Sequence, residues 1–309
     1  MMRHILLAAA AAATCAPPGG NRTPGVLVYV VGAARTLAAE VDDLARLFCE
    51  DAAWAGGRYV VPLLHTWARS SCDGSDIAVP RPFFAAGLSN FTMDDVDGPL
   101  QRLVSREPPH SPERTRASAF VGQLFHIYNL NRRADALLRG AGLPEAPEDA
   151  LVVRWRTDTT VADRGALGVF LTDCARLLPD VPGGVCILPT GKTKLIPPRC
   201  LDRRTSPGGV DYETATCCHP EGRGILSDWA FLTTKRVLDA MDGHAAPLQV
   251  FAGEDRAEHR LCETLLARGG GRSLVWPRSA DAAAAHLGLT SVRCAGATPY
   301  TTTPPPKPG

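Results

Sequence analysis

The sequence predicts an α/β fold: a mainly parallel sheet flanked by helices, with one loop-rich excursion heavy in Cys, Pro and Gly. Three observations carry that expectation. Val26 to Val31 is an unbroken apolar, β-branched run ending at Gly32, the pattern of a strand covered on both faces. Runs of this kind alternate along the chain with segments whose apolar residues recur at helical spacing. The composition, 45% hydrophobic and 21% charged over 309 residues, is that of a folded chain and excludes wholesale disorder.

The elements follow in order. After the first strand, Arg35 to Asp51 carries Leu37, Val41, Leu44, Leu47 and Phe48 along one helical stripe. Tyr59 to Leu64 reads as a second strand, and residues 65–115 as Pro-bounded loop. Arg116 to Gly140 is helical by the spacing of Phe120, Leu124, Ile127, Ala134 and Leu138, with Gly140 and Gly142 as its stop. Ala150 to Val153 opens a strand that runs on through Arg154-Trp155-Arg156-Thr157-Asp158. A helix over Gly165–Leu178 and a strand over Val185–Leu188 come next. Residues 197–224 form the Cys-rich excursion. Strands at Trp229–Leu232, Leu248–Phe251 and Ser273–Trp276 alternate with helices near Thr234–Met241 and Arg256–Arg268. The expected organisation is a signal peptide over 1–16, a disordered linker over 17–24, a single α/β domain over 25–296 and a disordered Pro-rich tail over 297–309.

The amino terminus reads as a targeting segment. A basic Met1-Met2-Arg3-His4 precedes the apolar run Ile5 to Ala13, and Thr14-Cys15-Ala16 leads into Pro17-Pro18-Gly19-Gly20. A disordered Ala tract is the plainer alternative. The sequons Asn21-Arg22-Thr23 and Asn90-Phe91-Thr92 agree with secretion. The chain has ten cysteines, and cleavage after Ala16 would leave an odd number, so disulfides and one unpaired or intermolecular thiol are expected. At least one disulfide is expected among Cys186, Cys200, Cys217 and Cys218. No apolar run reaches the roughly 18 residues of a membrane span, so no stable transmembrane anchor is expected. The secretory-pathway lumen or the exterior is the expected location.

Lys plus Arg is 33 against 32 for Asp plus Glu, a net charge of +1. That balance argues against nucleic acid as a partner. Gly191-Lys192-Thr193 lacks the upstream glycine of a phosphate loop, since that position is Cys186. No Gly-x-Ser-x-Gly, His-Glu-x-x-His or Gly-x-Gly-x-x-Gly stands where those chemistries require it. Cys217-Cys218-His219 lacks zinc spacing, and disulfides explain it better. Asp95-Val96-Asp97 has no preceding apolar strand and reads as a helix-start cluster of acids.

The stronger signal is a polar end on an apolar strand. If the strand begun at Ala150 continues, Arg154, Arg156 and Asp158 share a face and emerge near its carboxyl end, where open α/β sheets place their ligands. Two guanidiniums there can grip phosphate oxygens, and a carboxylate beside them can hold Mg²⁺ or Mn²⁺. A strand-edge ion pair solvating a turn is the competing reading. Asp228, before Trp229-Ala230-Phe231, either orients an acceptor hydroxyl as a base or caps a turn.

The order of these segments resembles a group of glycosyltransferase-like proteins of algae, protists and large DNA viruses. The residues that carry it are Gly32-Ala33-Ala34-Arg35 after the first strand, Gln123-Leu124-Phe125-His126-Ile127-Tyr128, Val152-Val153-Arg154-Trp155-Arg156-Thr157-Asp158, and Asp228-Trp229-Ala230-Phe231. The resemblance spans roughly residues 26–270 and implies a Rossmann-like, GT-A-type fold that moves a sugar from a nucleotide-diphosphate donor to a glycan or protein hydroxyl. It implies Asp158 as ligand of Mn²⁺ or Mg²⁺, Arg35, Arg154 and Arg156 near the donor, and Asp228 at the acceptor. The pattern departs from a metal-binding Asp-x-Asp, because position 156 is Arg. A non-catalytic secreted or surface binding protein on the same shell is the alternative.

Overall fold

A computed structural model describes residues 22–32, 43–50, 52–67, 76, 84–89, 126–127, 130–188, 200–215, 230–242, 273–279, 290–291 and 300–301. The expected signal peptide, the asparagines of both sequons, Arg35, Asp95, Asp97, Cys217, Cys218, Asp228 and the elements expected over 248–268 lie outside these residues.

The centre of the molecule is a nine-stranded sheet. In chain order its strands are β1 (Pro24–Gly32), β2 (Tyr59–Trp67), β3 (Phe84–Ser89), β4 (Leu151–Arg156), β6 (Gly184–Ile187), β7 (Leu201–Thr205), β8 (Asp211–Ala215), β9 (Ala230–Thr234) and β10 (Ser273–Pro277). In space they run β3-β2-β1-β4-β9-β6-β10-β8-β7. Seven of the nine point the same way, while β8 and β9 are reversed. The sheet is therefore mixed. Its β3-β2-β1-β4 half is all parallel as expected, and its other half combines antiparallel pairs with the parallel pair β6–β10. The part of the excursion seen here, residues 200–215, is not irregular: β7 and β8 form an antiparallel hairpin that extends the sheet beyond β10. A second, three-stranded sheet joins β5 (Thr159–Thr160), β11 (Thr290–Ser291) and β12 (Tyr300–Thr301), so two residues of the expected disordered tail are paired.

Alternation along the buried strands divides the apolar core in two. Leu27, Tyr29, Val31, Leu63 and Val152 face one side. There they meet Leu130, Ala134 and Leu138 of the helix α1, residues 130–140. Val26, Val28, Val30, Val153 and Trp155 face the other side, against helix α2 (Arg164–Leu177) and the short turns Arg46–Glu50 and Ala52–Ala55. In α2 the stripe Leu167, Phe170, Leu171 and Cys174 is buried at the i, i+3, i+4, i+7 spacing that one helix face requires. Asp163 caps it by accepting from the Ala166 N–H at 2.9 Å. The stop of α1 is as read from sequence. Gly142 adopts φ +73, Leu143 N–H bonds Leu138 C=O at 2.8 Å, and Gly142 N–H bonds Arg139 C=O at 2.9 Å. A further helix, α3 (Lys235–Asp242), follows β9 directly.

Cys186 pairs with Cys174, stapling β6 to α2, and not with a cysteine of the excursion. Cys49 and Cys200 are also disulfide-bonded, and no cysteine among the described residues is free. No helix of the described residues is long and apolar enough to cross a membrane.

Candidate functional site at the carboxyl ends of β1 and β4

The chain lays β1, β2 and β3 outward in succession, then returns to place β4 on the opposite flank of β1. The strand order thus reverses at β1, while the turns that follow β1 and the helix that follows β4 pack on the same face of the sheet. Gly32 ends β1 there at φ +130, a conformation that side chains rarely adopt. A Cβ on it would stand 3.3 Å from Thr157 Oγ1, tighter than ordinary contact. Thr66 Oγ1 donates to Gly32 C=O at 2.7 Å, and Thr157 N–H donates to Val31 C=O at 3.3 Å. The ends of β1, β2 and β4 are thus tied together at the switch point.

The three charged residues expected at the end of this strand do not emerge together. Arg154 is wholly buried on the α1 side, level with Tyr29 on β1 and Phe231 on β9. Arg156 stands at the strand end with its side chain 15% exposed. Asp158 lies in the following turn with its side chain only 4% exposed. Its two oxygens accept from Arg156 Nε at 2.9 Å and Arg156 Nη2 at 2.8 Å, a bidentate pair. The strand-edge ion pair is therefore present, but buried. Arg35 follows Gly32 by three residues and lies outside the described residues, as does Asp228. Ala230, two residues after Asp228, begins β9 opposite Trp155, so that segment enters the sheet beside the carboxyl end of β4.

A divalent ion needs several oxygen ligands. Among the described residues no three His, Cys, Asp or Glu side chains are grouped to hold a metal. Both oxygens of Asp158 are engaged by a cation. The described residues alone therefore supply no set for the expected Mn²⁺ or Mg²⁺, and Asp95, Asp97 and Asp228 lie outside them.

A second polar group, missed in the sequence, lies on the α1 side of the same sheet. His65 Nδ1 and His126 Nδ1 are 2.7 Å apart, both rings buried. Burial, then the charge of Arg133, lowers His65 from 6.5 to about 4. Burial, then His65 and Arg154, holds His126 well below its ordinary value. Both rings are neutral at neutral pH, and the bond between them needs one Nδ1–H and one bare Nδ1. Nearby, Tyr29 Oη donates to Asn131 Oδ1 at 3.0 Å, and Asn131 Nδ2 donates to Asp239 Oδ1 at 3.0 Å. Lys235 Nζ lies 2.9 Å from Asp239 Oδ2 and 3.2 Å from Asp135 Oδ2. Burial disfavours the Lys235 cation, but the bonds and charges of Asp239 and Asp135 outweigh it and raise its pKa. No local pattern announces a histidine pair 61 residues apart. His65 falls in the stretch expected as loop, just beyond the strand expected over Tyr59–Leu64, whereas β2 runs on to Trp67 and carries it into the sheet.

An open groove lies on the opposite face of the sheet, lined by Trp54, Arg164, Gly168 and Asp173. It holds none of the residues expected at a site. Comparison with known protein families and with curated proteins finds no match to this chain.

Proposed function

We propose that this protein transfers a glycosyl group from a nucleotide-diphosphate donor to a hydroxyl acceptor, on a GT-A-type sheet, in the secretory pathway. The observation that supports the reading is the switch point between β1 and β4, with Gly32 and Arg156 at its rim. A donor diphosphate at these strand ends would meet a guanidinium whose fork matches phosphate oxygens. Arg35 and Asp228 belong to segments that adjoin the same strand ends, Arg35 as a donor contact and Asp228 as the group that orients the acceptor. In the transferase reading the reaction is a displacement at the anomeric carbon, and the cationic rim stabilises the charge that develops on the departing diphosphate.

A thermal-shift screen of nucleotide sugars, run with and without Mn²⁺, tests it. A donor at 100 times its dissociation constant stabilises the fold by about 2.7 kcal/mol. Absence of any shift across uridine, guanosine, cytidine and thymidine diphospho-sugars would sink the reading. The lumenal location is supported by the buried Cys174–Cys186 bond. Mass spectrometry of material secreted from a eukaryotic host is expected to find a mature start after Ala16 and a glycan at Asn90 or Asn21. An intact Met1 with both asparagines bare would contradict it. A second reading, a non-catalytic secreted or surface binding protein, is favoured by the engagement of Asp158 with Arg156. It predicts donor binding with neither transfer nor donor hydrolysis.

A further inference from the structure

We propose that β7, the outer strand of the nine-stranded sheet, is a docking edge for a second copy of this chain, which pairs with it antiparallel about Arg203 and sets Asp202 of each copy against Arg204 of the other. The strand order ends at β7, and among the described residues no strand pairs with its outer side. The hairpin turn fixes which backbone groups face that side. Ser206 N–H bonds Val210 C=O at 2.9 Å, and Gly209, at φ +76, donates its N–H to Ser206 C=O at 2.9 Å. Hydrogen-bonded pairs alternate along an antiparallel ladder, so residues 204 and 202 bond β8 opposite 212 and 214. Leu201, Arg203 and Thr205 therefore point their N–H and C=O groups outward. Such an edge is a template for another strand. The turn is braced against the end of α2: Gly208 N–H donates to Asp180 Oδ2 at 2.9 Å, and Arg176 Nη2 donates to Gly208 C=O at 3.2 Å. The edge is thus held extended before any partner arrives.

Charge decides the occupant. In an antiparallel pair centred on Arg203, position 202 lies opposite 204 and 201 opposite 205. The two copies of Arg203 then form a hydrogen-bonded pair. Positions 202 and 204 form non-hydrogen-bonded pairs, whose Cα atoms are about 4.5 Å apart and whose side chains come closest. Opposite charges in that place attract. Asp202 and Arg204 share one face of β7, 2.7 Å apart, with side chains 52% and 58% exposed. An exposed pair of this kind contributes little to the monomer, and in the dimer each charge gains a second opposite one. Arg203 stands on the other face and donates from Nε to Glu213 Oε1 at 2.9 Å, so the guanidiniums that meet at the two-fold axis each carry a counter-charge. An edge of one sign would repel its own copy. Here both signs occur in an order that matches itself on reversal. A five-residue edge buries less than the roughly 1,000 Å² of a lasting interface, so the dimer is transient.

The test is analytical ultracentrifugation of the full chain over a wide range of protein concentration, at low and at high sodium chloride. The expected result is a reversible monomer–dimer equilibrium that weakens as salt rises. Asp202→Arg and Arg204→Asp each set like charges against one another, and each change counts twice in a two-fold dimer, so each should weaken association by about tenfold. Mixing the two variants restores opposite charges across the interface and should recover the dimer. The double variant Asp202→Arg/Arg204→Asp should recover it alone. A chain that stays monomeric at every concentration overturns the proposal. So does a dimer indifferent to salt, one that neither single variant weakens, or single variants that fail to associate when mixed. The concentration and salt series use the unmodified protein, so they decide even if a variant fails to fold.

Discussion

At the scale of single residues, the buried histidine pair sets a pH dependence with a definite sign. The folded protein holds His65 at about 4 against 6.5 for the free side chain, through burial and the Arg133 charge. Between those values the unfolded chain binds a proton that the folded chain refuses. The stability His65 contributes is therefore complete above about pH 6.5 and is lost as pH falls toward 4. A gap of that size corresponds to roughly 3 kcal/mol at its limit. Urea unfolding between pH 7 and 4 should show a steeper fall in the parent than in His65→Gln, and equal slopes would remove the role assigned to burial. The same scale shows where reading the sequence stopped. Alternation along β4 correctly put Arg154 and Arg156 on one face. Whether that face is open or covered depends on α1, and contacts between a strand at 151–156 and a helix at 130–140 leave no mark in either segment. So Arg154 was expected at a surface and lies in the interior.

At the scale of elements, the two glycines that end α1 should respond to alanine in opposite ways. Gly142 sits at φ +73, so Gly142→Ala forces a side chain into a left-handed conformation at a cost of about 1 kcal/mol, although nothing stands within 4 Å of the new Cβ. Gly140 lies at an ordinary helical angle with equal space, so Gly140→Ala should stabilise by about 0.4–1 kcal/mol through the unfolded chain. Melting temperatures of the two variants moving in the same direction would contradict this account of the cap. The stop was legible because glycine chemistry is local. β1, β4, β6 and β10 were legible for a similar reason, since a strand buried on both faces must be an apolar run. The β7–β8 hairpin was not. Leu201–Thr205 reads Leu-Asp-Arg-Arg-Thr and is largely exposed, so it carries neither the run nor the alternation of a half-buried strand. It is held as an edge strand by its ladder to β8, reinforced by Arg203 Nε to Glu213 Oε1 at 2.9 Å. β9 was found, but its reversal was not, because strand direction is a property of the connection and not of the strand.

At the scale of the whole molecule, one sheet separates two apolar cores, and the Cys174–Cys186 bond lies within the core on the α2 side. Both cysteines are fully buried, and their Cα atoms are 5.9 Å apart across a sequence separation of 12 residues. Closing a loop of that length removes unfolded-state entropy equivalent to about 3 kcal/mol. The bond also joins α2 to β6, which lies in the mixed half of the sheet, whereas the candidate site lies in the parallel half. The double variant Cys174→Ala/Cys186→Ala should therefore lose about 3 kcal/mol in guanidinium unfolding. Its affinity for a nucleotide-sugar donor should stay within about twofold of the parent, because β1, β4 and the Arg156–Asp158 pair do not depend on the staple. Full stability in the double variant would mean that packing of Leu167, Phe170 and Leu171 already fixes α2 on the sheet. A loss of ligand affinity together with stability would mean that the two halves of the sheet are coupled, and that the candidate site is shaped by the whole sheet and not by its parallel half alone.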